Sequence, residues 1–205
     1  MAALADFAQY VRPEVPGCPE IMILDALRQA GIEFCERTKV LRQTLVVNTV
    51  VDTASYDLAA LVTAGTEPDE ILFVSRDNGD LEPSSEYEFQ ANNLDQYGSP
   101  QYYYLDGTTM VVGFKPTAVE ALTVRVKTRP AEAASTLPDE LYRRYRREIA
   151  AGAKTQLMLM ANQPWSNPQQ AAIYNSIFNG AVDDENLRHA KGGDNKTLRT
   201  TLHMF

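Results

Sequence analysis

Tyr102-Tyr103-Tyr104-Leu105-Asp106-Gly107-Thr108-Thr109-Met110-Val111-Val112-Gly113-Phe114 decides how the middle of this chain is read. Tyr, Thr and Val favour the pleated backbone. The two runs flank Asp-Gly, a pair suited to the positive φ of a tight turn, so the stretch predicts a β-hairpin. Working outward, Leu122-Thr123-Val124-Arg125-Val126-Lys127 alternates apolar and polar as a half-buried strand does, and Arg129-Pro130 ends it. Upstream, Leu41 to Val51 is rich in β-branched residues, and Tyr56-Asp57-Leu58 and Ile71 to Ser75 read as further short strands. Asp77-Asn78-Gly79-Asp80 is turn chemistry. Residues 82–98 fit two readings, Ser84-Ser85-Glu86 either capping a helical turn or beginning a strand. The middle of the chain is thus predicted to be a β-rich block over about 41–129.

Helical spacing brackets this block. Leu4, Phe7, Ala8 and Val11 lie at i, i+3, i+4 and i+7, a short helix closed by the proline-rich loop Pro13–Pro19. Pro19 then opens a helix over about 19–39, with a stripe of Ile21, Leu24, Leu27, Gly31, Phe34, Cys35 and Thr38. After the block, Pro138-Asp139-Glu140 starts a helix whose apolar line is Leu141, Tyr145, Ile149, Gly152, Gln156, Leu157 and Met160. Asn167-Pro168 caps a last helix to about His189, with Ile173, Ile177, Gly180 and Ala181 as its expected seam. The order excludes a doubly wound α/β fold, because strands and helices do not alternate. It predicts an α+β protein, mainly an α-helical bundle with a β-rich insertion between the helices and an extended C-terminal tail. Residues 1–190 form a single domain in this reading, and 191–205 the tail.

The chain has 205 residues, a formal charge of −8 and 44% hydrophobic residues, which excludes a disordered chain, a collagen and a coiled-coil rod. No apolar run is long enough for a membrane helix, and the first residues do not read as a secretory signal. Cys18 and Cys35 are too few for a disulfide scaffold and read as free thiols, Cys35 in the core and Cys18 nearer the surface. His189 and His203 sit at no metal-binding spacing. No phosphate-binding glycine loop or nucleophile elbow occurs. The sequence therefore predicts no catalysis, no cofactor and no metal.

Charge is uneven. Residues 52–106 hold twelve carboxylates and a single base, Arg76. Asp69, Glu70, Asp77, Asp80, Glu82, Glu86 and Glu88 mark an acidic lobe. It is either a plain solvated surface or a wall that repels DNA and lets a strand pass, because phosphate binding needs Lys and Arg. Arg143, Arg144, Arg146 and Arg147 wrap around their helix and, with Glu140 and Glu148, predict ion pairs or a subunit contact before a DNA contact. Trp165 reads as a plug over the bundle end, or else as a partner contact. The tail carries Lys196, Leu198, Arg199, Leu202, His203, Met204 and Phe205, basic residues mixed with apolar anchors, which reads either as a segment docking on another protein by strand addition or groove insertion or as a frayed terminus.

Several segments together carry a resemblance: Tyr10-Val11-Arg12-Pro13-Glu14-Val15-Pro16-Gly17-Cys18-Pro19 leading into the helix with Glu33-Phe34-Cys35-Glu36-Arg37-Thr38, the Asp106-Gly107 hairpin and Arg129-Pro130, Leu137-Pro138-Asp139-Glu140-Leu141, and Gln163-Pro164-Trp165. Over about 10–190 the layout resembles the head-to-tail connector (adaptor, or head completion) proteins of tailed bacteriophages. The resemblance implies a non-enzymatic virion protein, made in the host cytoplasm and placed in the neck. It implies a homo-oligomeric ring of twelve copies under the portal protein, with a tail or nozzle protein on the other side. DNA would pass through without sequence-specific binding, and no membrane is involved. The residues from 191 to 205 would dock on the portal, and the acidic lobe would face the tail or the channel. Two other readings stay open: a tail-side completion or terminator protein, and a carbohydrate-binding module built on the tyrosine-rich block.

Overall fold

A computed structural model describes residues 1–77, 79–91 and 96–191. The elements in chain order are β1 (Ala2–Ala3), α1 (Leu4–Ala8), α2 (Glu20–Arg37), β2 (Arg42–Asn48), β3 (Ser55–Asp57), β4 (Thr66–Arg76), β5 (Gly79–Pro83), α3 (Glu86–Ala91), β6 (Tyr102–Asp106), β7 (Thr109–Gly113), β8 (Ala121–Pro130), β9 (Thr136–Leu137), α4 (Asp139–Met158) and α5 (Pro168–Ala190). They fall into two compact units. One, here the helical unit, comprises residues 1–40 and those from 135 onward; the other, the β unit, comprises 41–134.

In the β unit the strands form one curled sheet in the order β2-β8-β4-β5-β6-β7-β3. The predicted hairpin forms with its turn one residue later than the Asp-Gly pair: Asp106 still pairs with Thr109, so the two-residue loop is Gly107-Thr108, and Gly107 takes the positive φ (58°) at its first position. All neighbours are antiparallel except β5 and β6, which run parallel. Period-two burial follows from the β-branched pattern: Leu45 and Val47 of β2 and Leu122, Val124 and Val126 of β8 enter the core, whereas Val46 is 61% exposed. β4 is longer than its apolar run, because two bulges, at Pro68/Glu70 and Ile71/Phe73, let the acidic stretch before Ile71 pair with β8. The ambiguous 82–98 stretch contains a helix. Ser85 Oγ accepts from Glu88 N (3.2 Å) while Glu88 Oε2 accepts from Ser85 N (3.2 Å), a capping box that starts α3.

The helical unit is centred on α4, which α2 and α5 flank. Leu27 and Phe34 of α2, Leu141, Ile149 and Leu157 of α4, Phe178 of α5, and Phe7 of α1 are buried together with Leu137 of β9. Gly152 permits the closest approach: a Cβ there would stand 2.8 Å from the Phe178 ring and 3.1 Å from Ala30 Cβ. A short β1–β9 ladder, pairing Ala2 with Leu137, escaped the sequence reading.

Two expectations need correction. Strands are about as prominent as helices, so the chain is α+β without being mainly a helical bundle; eleven-residue β4 and ten-residue β8 supply much of the difference. The seam of α5 also lies elsewhere. Ala171, Phe178, Val182 and Glu185 face inward, and Ile173 and Ile177 are 55% and 47% exposed. α5 carries apolar residues on opposite sides, and Phe178, the larger group, fits beside Gly152.

Candidate docking surfaces

Asp69, Glu70 and Glu86 of the expected acidic lobe meet, with Asp106, around a groove of about 410 Å³ in the β unit. β5 creates it by ending at Pro83, beyond which the chain leaves the sheet for α3. Two of its carboxylates meet a base that does not itself line the groove. Lys127 of β8 is buried, with Nζ 2.7 Å from Asp69 and 3.7 Å from Glu70. Tyr103 lines the groove from the core, and burial together with the Glu70 charge holds its phenol above the ordinary value. Asp77, Asp80, Glu82 and Glu88 are exposed and do not line the groove. Other carboxylates of this unit hold bases internally: Glu120 is 3.7 Å from Arg76, and Glu67 is 3.7 Å from Arg129. The tyrosines separate as well: Tyr104 meets Phe89 edge-on at 5.1 Å, and Tyr87 and Tyr97 are exposed.

The arginine cluster divides in the same way. Arg146 lies against the rings of Tyr10 (5.9 Å) and Tyr142 (5.7 Å), and Arg144 bonds Glu140 one turn away (3.4 Å). Arg143, Arg144 and Arg147 are exposed. Trp165 is buried in the α4–α5 connector, 7% exposed.

The sequence reading passed over a buried polar network that ties α5 to α4. Tyr145 donates to Glu185 Oε2, Arg188 Nη1 donates to the same oxygen (2.8 Å) and to the phenol (3.1 Å), and His189 Nε2 lies 3.6 Å from Glu185 Oε1. Burial, then the bond and charge of Glu185, push the Tyr145 phenol up to about 12. The backbone of α4 leaves helical geometry at this residue (φ −126°, ψ 17°), where the ring also packs on Phe34 at 4.8 Å. The signal available in sequence was Glu185 falling on the line of Phe178 and Val182.

Among the described residues, no three His, Cys, Asp or Glu side chains are placed to hold a metal, and no helix is long and apolar enough to cross a membrane. Cys35 is buried, and Cys18 is half-buried with its thiol raised above the ordinary value by burial. The expected docking residues Lys196, Leu198, Arg199, Leu202, His203, Met204 and Phe205 lie outside the described residues.

The family model described as SU10 adaptor protein matches residues 2–200, nearly the whole chain. No curated protein matches it.

Proposed function

The chain belongs to the SU10 adaptor protein family, phage head-to-tail adaptors that are structural virion components and not enzymes, and from that premise we propose that it forms a ring docked on the portal and open to the passage of DNA. The family match over both units carries this reading. Charge supports the channel. The β unit holds fourteen carboxylates against six Lys and Arg, whereas the rest of the chain has thirteen of each. A wall of that sign repels phosphates and leaves a moving duplex nothing to grip.

The residues from Lys191 to Phe205 are the portal-docking segment in this proposal. They join Lys196 and Arg199 to Leu198, Leu202, Met204 and Phe205, a composition that suits an extended segment anchored by its side chains in a groove. Removing residues 191–205 tests it. The truncated chain keeps the thermal transition of the full chain and no longer co-purifies with portal protein. Undiminished portal binding refutes the docking role. Binding to tail-tube protein and not to portal replaces this reading with the tail-side completion protein.

A further inference from the structure

α5 leaves a line of side chains without cover. Half a turn away from its buried side, Ile173, Ile177, Gly180, Asp184 and Leu187 follow one another at steps of four, three, four and three residues, the spacing that keeps a line on one face of a helix. Ile173 is 55% exposed, Ile177 47% and Leu187 45%. The same unit carries a hollow of about 370 Å³ where α2 passes the end of α4, lined by the apolar Ile21, Met22, Ala26 and Met160 and by the polar Asp25, Arg28 and Gln156. Ile21 is 76% exposed. One chain thus presents an apolar ridge and, on other helices, a partly apolar groove.

We infer that a second copy of this chain covers both, the α5 ridge of one copy seating in the α2/α4 groove of the next. Register and charge support this occupant. Seven residues separate Ile177 from Asp184 along the ridge, and seven separate Ile21 from Arg28 along α2, about 10 Å in each helix. With the two helices parallel, Ile177 over Ile21 and Met22 brings the Asp184 carboxylate to the Arg28 guanidinium. Arg28 already bonds Asp25 at 3.3 Å, so Asp184 would join an existing guanidinium–carboxylate pair and not an unpartnered cation. Gly180 has open space beside it and adds no obstacle between the two contacts. Pairing ridge to ridge would leave the groove in water.

The ridge is about 21 Å long, too short for the ~800 Å² per partner of a standard stable interface. A single contact is therefore weak. A head-to-tail contact uses a different surface toward each neighbour, so closing a ring satisfies both surfaces of every copy. Closure rests on the ring reading above; the pairwise contact does not.

Cysteine trapping of the full chain tests it. In a Cys18→Ser background that retains the buried Cys35, Ile177→Cys and Met22→Cys proteins are mixed under mild oxidation, and Val119→Cys, at a 70% exposed site in the β unit, sets the rate of random collision. The mixed Ile177→Cys/Met22→Cys dimer should form ~10-fold faster than the Val119→Cys dimer and than either homodimer. Asp184→Arg should abolish the excess, and adding Arg28→Asp to the partner protein should restore it. Rates equal to the collision control overturn the contact, as does faster Ile177→Cys homodimer formation, which would mean ridge-to-ridge pairing. Trp165 fluorescence melts confirm that each variant is folded. Portal pull-downs on the same variants separate the two claims: lost trapping with portal binding intact sinks this contact alone, and the converse sinks the portal reading alone.

Discussion

Gly152→Ala should loosen the helical unit, although alanine is the better helix former. In an exposed helix the exchange stabilises by ~1 kcal/mol. At this site the new Cβ would lie 2.8 and 2.9 Å from two carbons of the Phe178 ring and 3.1 Å from Ala30 Cβ, where carbon contacts settle at about 3.5–4.0 Å. Phe178 cannot swing away: it is 3% exposed, its ring stands 5.9 Å from that of Phe34, and Arg37 lies over it at 5.8 Å. α5 must therefore shift outward, and overpacking of this kind costs about 1–3 kcal/mol. The net expectation is a loss of up to ~2 kcal/mol. Trp165, the sole tryptophan, is buried in this unit, so its fluorescence during urea unfolding reports the helical unit. Phe178→Leu should open space for the methyl, and the double variant should be more stable than the sum of the single changes predicts by at least ~1 kcal/mol. A Gly152→Ala protein more stable by the full helix-propensity increment would show that α4 and α5 do not approach closely here.

Tyr145→Phe should narrow its stability deficit as pH rises. The phenol titrates near 10 in the unfolded chain and at about 12 in the fold, so its contribution is complete below pH 10 and is lost between pH 10 and 12, ~1–2 kcal/mol after screening; a deficit constant with pH in urea titrations would remove the bond to Glu185. Lys127→Met should destabilise the β unit by ~1–3 kcal/mol, because Asp69 and Glu70 lose the cation between them. An unchanged or higher melting temperature by circular dichroism speaks against that pairing. Ser85→Ala should cost α3 about 1 kcal/mol and speed hydrogen exchange at the Glu88 amide, and unaltered exchange there would mean the capping box does not hold the helix.

Local chemistry made much of the fold legible. Gly107 marked a hairpin because its positive φ suits a tight turn, although the loop proved to be Gly107-Thr108 and not Asp106-Gly107, and the alternation in β8 matched a sheet with one buried face. Prolines 19 and 138, expected as first-turn residues, mark the starts of α2 and α4 from one position earlier, the N-cap. The extent of β4 was not legible, since Glu67-Pro68-Asp69-Glu70 reads as loop until the bulges against β8 are seen. Periodicity alone could not orient α5, because a helix with apolar residues on opposite sides offers two seams. The choice depended on Gly152, in another helix, making room for Phe178. The acidic lobe was legible as composition only, because the fold decides which carboxylates line a groove, which hold Lys127 and which face water. Spacing puts Ile21 on the core stripe of α2, yet it is exposed and borders the hollow between α2 and the end of α4.

Cryo-electron microscopy of mature particles tests the central claim most directly. Placement as an adaptor predicts ring-shaped density between portal and tail that accommodates both units of this chain, with the acidic β unit toward the channel. Particles whose neck lacks the protein, or that carry it only in the capsid shell or at the distal tail, would contradict it.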